Sequence, residues 1–227
     1  MKITLAKILE GLSHDTLSFM ADSNHARGSI VGDQIPKVVS RINAVLRRLA
    51  VKFTLSEKSV KVDITADRQY YPMTVGSAWI VEDPEEPFTG DVARILGIEL
   101  SNGRVYNLND VAKHDSVLLR DGGKAFAIDA GLPEGLAVVT YKAATPEFDL
   151  TGENQAQEIE LPESLLNALY IGVAAITYQG IGGPENITLS NSHWAQFERE
   201  IKEAQVNSAV EVEQYEERNL LKDRGFR

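Results

Sequence analysis

The hydrophobic period of this chain changes twice, and that change constrains the fold more than any other feature. From Ile35 to Phe53 the period is helical. Ile35, Val38, Val39, Ile42, Val45, Leu46 and Leu49 follow i, i+3, i+4, i+7, i+10, i+11, i+14 and share one face. Pro36 suits a first helical turn. From Ser59 the period is two: Val60, Val62 and Ile64 alternate with Lys61, Asp63 and Thr65. After Pro162 the helical period returns, with Leu165, Leu166, Leu169, Tyr170, Val173, Ile176 and Thr177 expected inward to about Gln179.

The punctuation fits this division. Residues 3–20 read as a helix interrupted by Gly11, followed by a polar connection over 21–34. Gln69–Val75 reads as a strand with Pro72 at an edge. Ser101-Asn102-Gly103 between Val92–Leu100 and Arg104–Leu108 predicts a hairpin. Asp121-Gly122-Gly123 predicts a second, between Val117–Arg120 and Lys124–Ile128, and Leu136–Lys142 is a further strand. Gly180-Ile181-Gly182-Gly183 ends one helix, and Pro184 opens the next, which carries Ile187, Leu189, Trp194, Phe197 and Ile201. The expected fold class is α+β: an antiparallel bundle of N- and C-terminal helices with an inserted antiparallel β sandwich or barrel and an extended C-terminal tail. The corresponding domains are 1–57 with 151–206 for the bundle, 58–150 for the β insertion and 207–227 for the tail.

Charge is uneven along the chain. Residues 1–80 hold 11 Lys/Arg and 7 Asp/Glu, a net +4. Residues 81–153 hold 6 and 14, a net −8, and residues 154–227 hold 6 and 12, a net −6. These sum to the formal −10. An acidic chain without clustered bases is poorly suited to gripping a phosphate backbone. The helix from Ile35 to Phe53 is the exception, with Lys37, Arg41, Arg47, Arg48 and Lys52 and no acid among them. That face reads either as solvated or as a dock for an acidic neighbour.

Catalytic chemistry finds little to stand on. The absence of cysteine excludes disulfides, thiol catalysis and cysteine-ligated metals. His14, His25, His114 and His193 have no metal-ligand spacing. Gly180–Gly183 follows a helix, so its amides are not those of a dinucleotide loop. Glu82, Asp83, Glu85 and Glu86, framed by Pro84 and Pro87, read as a mobile contact loop rather than an acid/base pair or a calcium site. The expectation is a protein that is not an enzyme, with no cofactor and no metal. No secretory leader and no membrane-spanning apolar run are read from the sequence, so the chain is expected in a cytoplasm-like compartment.

Three stretches carry a family resemblance. The first is Arg41-Ile-Asn-Ala-Val-Leu-Arg-Arg-Leu49, followed by Phe53 and the Lys58–Ile64 strand. The second is Ile159-Glu-Leu-Pro-Glu-Ser-Leu-Leu-Asn-Ala-Leu169, leading into a helix of small residues. The third is Glu185-Asn186 with the aromatic helix Asn191–Lys202, then Arg218-Asn219 and the ending Asp223-Arg224-Gly225-Phe226. In order and spacing these stretches resemble the head-to-tail adaptor family of tailed phages, which includes the tail tubular protein A group; 81–148 is the least diagnostic part.

The resemblance implies a structural virion protein. Its subunits would form a homo-oligomeric ring, commonly dodecameric, seated under the portal protein and joined to downstream tail, nozzle or neck proteins. Its place would be the virion neck, after assembly in the host cytoplasm, with no membrane partner. DNA would pass through the ring lumen without specific binding. The C-terminal tail would reach the portal, which assigns Arg218, Asn219, Arg224, Gly225, Phe226 and Arg227 to portal binding. The tail carries five acids and four bases with few large apolar residues, so it is expected to order only on a partner. The β insertion would face the tail, with Glu82, Asp83, Glu85 and Glu86 as its contact loop. Two other readings stay open: another tail component of tube, nozzle or baseplate, or a soluble enzyme or monomeric binding module with a cryptic site.

Overall fold

The computed structural model describes residues 1–14, 17, 30, 32–109, 116–128 and 134–206. It is a mixed α+β structure that divides into two compact units. Unit 1 comprises Met1–Thr4, Leu55–Asp149 and Ala156–Leu161. Unit 2 comprises Leu5–Thr54, Leu150–Gln155 and Pro162–Arg227, described as far as Val206.

Unit 1 carries all ten strands described. Its first strand, β1 (Lys2–Thr4), pairs antiparallel with β10 (Glu158–Glu160) as a two-stranded sheet. The helix expected from residue 3 therefore starts later. Ile3 and Ile159 lie opposite each other and both are buried, so the N-terminal apolar residues are shared between a strand and a helix. A four-stranded sheet has the order β4 (Ile80–Val81), β2 (Glu57–Ile64), β9 (Gly135–Ala143), β5 (Val92–Leu100), with every pair antiparallel. Val60, Val62 and Ile64 of β2 are buried and the intervening residues exposed, as a period of two demands. The third sheet has the order β3 (Tyr70–Pro72), β8 (Ala125–Ile128), β7 (Ser116–Arg120), β6 (Asn107–Leu108). Pro72 lies on its edge strand. Both four-stranded sheets contribute to one hydrophobic core, where Tyr71 stacks on Phe126 at 5.0 Å and meets Trp79 edge-on at 6.2 Å.

The two hairpin turns behave differently. Around Asp121–Gly123, β7 and β8 pair in register, with φ positive at Asp121, Gly122 and Gly123. Around Ser101–Gly103, Leu100 N–H bonds Arg104 O and Tyr106 N–H bonds Ile98 O, each at 2.9 Å. There the pairing stops. Asn107–Leu108 crosses to run parallel to Ser116–Val117, the one parallel pair among the described strands. Asn109 holds the crossing in a left-handed conformation, φ 57°, and its side-chain oxygen accepts Leu119 N–H at 2.8 Å.

Unit 2 is helical. Its elements are α1 (Leu5–His14), α2 (Ile35–Lys52), α3 (Leu166–Ile181) and α4 (Pro184–Val206). Val38, Val39, Ile42, Val45, Leu46 and Leu49 of α2 are buried, each worth roughly 1.5–3 kcal/mol before entropy. Pro162 precedes one 3-10 turn, Glu163–Leu165, before α3 begins. The buried side of α3 is broader than its large residues suggest. It includes Ala168, Gly172, Ala174 and Ala175, while Leu166, Tyr170 and Ile176 are half-buried, because α3 packs against both α2 and α4. At Gly172 a Cβ would stand 2.8 Å from Val45 Cγ1, so a larger residue would force Val45 or the helices apart. Gly182 and Gly183, φ 73° and 85°, end α3 and turn the chain into α4. Glu163–Ile181 is long and apolar enough to cross a membrane by length and composition, contrary to the sequence reading, and half of it is buried within the protein.

Candidate functional site

The acidic segment Glu82–Pro87 is exposed throughout and ends at Phe88, which is buried. Two of its carboxylates build the loop. Glu82 Oε2 accepts the Phe88 N–H at 3.1 Å, and Asp83 Oδ1 accepts the Glu85 N–H at 3.1 Å, an Asx turn. Among the described residues the carboxylates of Glu85 and Glu86 take no hydrogen bond or ion pair. They are the pair that can meet a partner without dismantling the loop.

The loop rests on a polar knot absent from the sequence reading. Phe88 meets Tyr141 of β9 edge-on at 6.0 Å. Tyr141 Oη donates to Asp91 Oδ1 at 3.2 Å, and Lys58 Nζ of β2 pairs with Asp91 Oδ2 at 2.6 Å. Burial opposes ionisation of Asp91, yet bonds from Lys58, Thr89 and Tyr141 outweigh it and hold the carboxyl below its usual value. Burial and then the Asp91 charge push the Tyr141 hydroxyl upward, so it stays a protonated donor. These residues are 33 and 50 positions apart in pairs, and no local pattern marks them.

Beside the knot, within unit 1, lies a cleft of about 690 Å³. Its walls include Ser56, residues 57–60 of β2, Glu86–Thr89, Tyr141, and Lys2 with Glu158–Glu160 from the two-stranded sheet. The rim is acidic: Glu57, Glu86, Glu158 and Glu160 face Lys2 and Lys58, and Lys58 is already paired to Asp91.

Part of the basic face of α2 reaches other helices of its own unit. Arg41 Nη1 donates to Thr177 Oγ1 at 3.0 Å, and burial lowers its guanidinium pKa. Arg48 lies 4.1 Å from the Trp194 ring centroid, and Lys52 Nζ pairs with Glu198 Oε2 at 2.8 Å. Arg41, Arg48 and Lys52 thus reach α3 and α4, while Lys37, Arg47 and Arg48 stay exposed, so the face is largely solvated and carries internal contacts along one side. His193 stacks on Tyr178 at 5.4 Å, and burial lowers its pKa. His14 ends α1. No group of three or more His, Asp or Glu among the described residues is placed to hold a metal.

Arg218, Asn219, Arg224, Gly225, Phe226 and Arg227, with the whole expected tail 207–227, lie outside the described residues, as do His25 and His114. No protein-family model matches the chain, and no curated protein matches it.

Proposed function

We propose that this chain is a subunit of a head-to-tail adaptor ring of a tailed phage: a structural protein joining the portal to the tail around the DNA channel. The observation that carries this reading is the order of three family-like stretches over most of the chain. Arg41–Leu49 falls within α2, the second stretch leads into α3, and Glu185–Lys202 of the third falls within α4, which follows α3 across Gly182-Gly183. The finer architecture belongs to the same proposal: a bundle of the N- and C-terminal helices, expected over 1–57 and 151–206, interrupted by a β sandwich or barrel expected over 58–150, with Met1–Thr4, residues 55–57 and Ala156–Leu161 grouped instead with the strands.

Charge supports a role beside DNA rather than on it. The chain is −10 overall, and Arg41 and Arg48 are engaged with Thr177 and Trp194 instead of forming a phosphate-binding row. A like-charged lumen lets a polyanion pass without trapping it. Glu85 and Glu86, in the loop that Glu82 and Asp83 hold, supply the contact toward the downstream tail, and Arg218, Asn219, Arg224, Gly225, Phe226 and Arg227 supply the contact to the portal.

Mass photometry of the purified chain with and without its portal protein tests the reading. Ring-sized assemblies that form on portal support it. A monomer indifferent to portal overturns it. A cryo-EM map of the virion then separates the neck from tube, nozzle or baseplate, because only a neck subunit contacts the portal.

A further inference from the structure

The cleft in unit 1 has two strand walls, and each has an open hydrogen-bonding edge. On β2 the residues alternate. Ala143 N–H bonds Ser56 O at 2.9 Å across the β2–β9 register, so the even-numbered residues of β2 face β9. Asp63 N–H bonds Trp79 O at 2.8 Å, so the odd-numbered residues face the other way, toward β4. But β4 is only two residues long and pairs with Lys61 and Val62 alone. Continued, it would place Asp83 opposite Ser59 and Glu85 opposite Glu57; instead the chain leaves as the acidic loop. The outward N–H and C=O groups of Glu57 and Ser59 therefore have no backbone partner among the described residues.

The second wall follows the same logic. Met1 and Leu161 exchange hydrogen bonds at 3.0 Å, so the odd-numbered residues of β1 and β10 face each other. The N–H and C=O of Glu158 and Glu160 point away from β1, and both residues line the cleft. Sheet edges left open invite a further strand.

We propose that this cleft is a strand-acceptor groove that binds an extended, basic segment of a partner protein by adding it to the open edge of β2. Charge selects the occupant. A second copy of β2 carries Glu57 and Asp63 beside Lys58 and Lys61 and gains no net attraction from an acidic rim, whereas a segment rich in lysine or arginine is attracted to Glu57, Glu86, Glu158 and Glu160. Alternation sets the pattern of the segment. Residues opposite Glu57 and Ser59 project to the solvated face of the sheet, beside the Glu57 carboxylate, and should be basic. The residues between them project to the face of Val60, with Phe88 also lining the cleft, and should be apolar. The inference concerns the chemistry of the groove and stands whether or not the chain is a neck subunit; the adaptor reading says only that the segment comes from a tail or neck protein.

The probe is an end-capped octapeptide of alternating lysine and valine, titrated against the full-length chain by fluorescence anisotropy. Its glutamate–valine counterpart should bind at least about tenfold more weakly. Hydrogen exchange should slow at the amides of Glu57 and Ser59 in the complex. Ser59→Pro removes one outward N–H while leaving the β9 side of the strand bonded, and should weaken binding about fivefold or more. A lysine–valine peptide N-methylated on alternate amides gives the same comparison on the unaltered protein, should the proline variant misfold. Tight binding without slowed exchange, equal affinity of the N-methylated peptide, or no binding of the lysine peptide each overturns the proposal.

Discussion

Asp91 and Gly172 are single residues whose neighbours fix what a substitution does. Asp91 accepts from both Lys58 and Tyr141 and stays ionised in the fold more readily than in the unfolded chain. Its folded pKa is lowered, so the stabilisation is complete above the unfolded value near pH 4 and is lost as pH falls through the lower folded value. Asp91→Asn should cost about 1 kcal/mol at pH 7, since the site is partly exposed. The difference in urea midpoint between the two proteins should shrink below about pH 4. A constant difference down to pH 2 would mean that the charge is not what the knot uses. At Gly172 the added methyl meets Val45 at 2.8 Å and Phe197 at 3.2 Å. Overpacking costs typically about 1–3 kcal/mol, against a helix-propensity gain of about 1. At Gly180 the nearest atom is the Arg41 guanidinium at 3.4 Å, on a side chain that can move. Gly172→Ala should lower the unfolding temperature and Gly180→Ala should hold or raise it; the reverse order would show that α3 is not tightly apposed to α2.

At the scale of elements, α2 is tied to α4 by side chains of its polar face as well as by burial. Arg48 on Trp194 should show a coupling of about 0.5–1 kcal/mol in a double-mutant cycle. Lys52 with Glu198 is exposed and should show about 0–1 kcal/mol, falling with salt. A cycle in which Arg48 and Trp194 add independently would remove this link. These partners also mark what was legible in the sequence. The core of α2 was legible, because six of its seven apolar positions repeat at helical spacing and are buried, with Ile35 half-buried at the start. The alternation in β2 and the glycine stop after Ile181 were legible for the same local reason. The destination of Arg48 was not, because Trp194 is far along the chain and a basic stripe looks alike whether solvent or an aromatic ring covers it. The start of α1 was misjudged because Ile3 fits both a helix and a strand, and only pairing with Ile159 decides between them. In α4 the apolar residues divide: Ile187 and Leu189 are about half exposed, and the helix is buried mainly at Ser190, Phe197, Ile201 and Ala204. The acidic loop was found by composition, whereas the roles of its four carboxylates required knowing where the N–H groups of Glu85 and Phe88 point.

At the scale of the whole molecule, none of the buried residues described is among those assigned to partners. The last buried side chain described is Ala204, and every buried residue of α1 to α4 and of the strands precedes it. The portal assignment, Arg218 to Arg227, lies wholly beyond, and the tail assignment, Glu82 to Glu86, lies in a loop with two carboxylates unused by the fold. The proposed partner contacts are therefore expected to be separable from the fold by mutation. Glu85→Lys with Glu86→Lys reverses charge without touching the bonds to Asp83 and Glu82, so it should leave portal association intact and block tail attachment. Truncation after Val206 is the complementary experiment. It removes four bases able to form charge-assisted bonds with portal carboxylates, and Phe226 with them. It removes none of the buried residues above, so the unfolding temperature should change by no more than a degree or two, on the order of 0.5 kcal/mol. Ordering a segment costs on the order of 1–2 kcal/mol per residue, and a segment poor in large apolar side chains recovers that only on a partner. The truncated chain should stay folded by circular dichroism and lose association with portal rings at physiological salt. Unchanged portal affinity would place the anchor elsewhere in the chain, while loss of the fold itself would show that the tail belongs to the core.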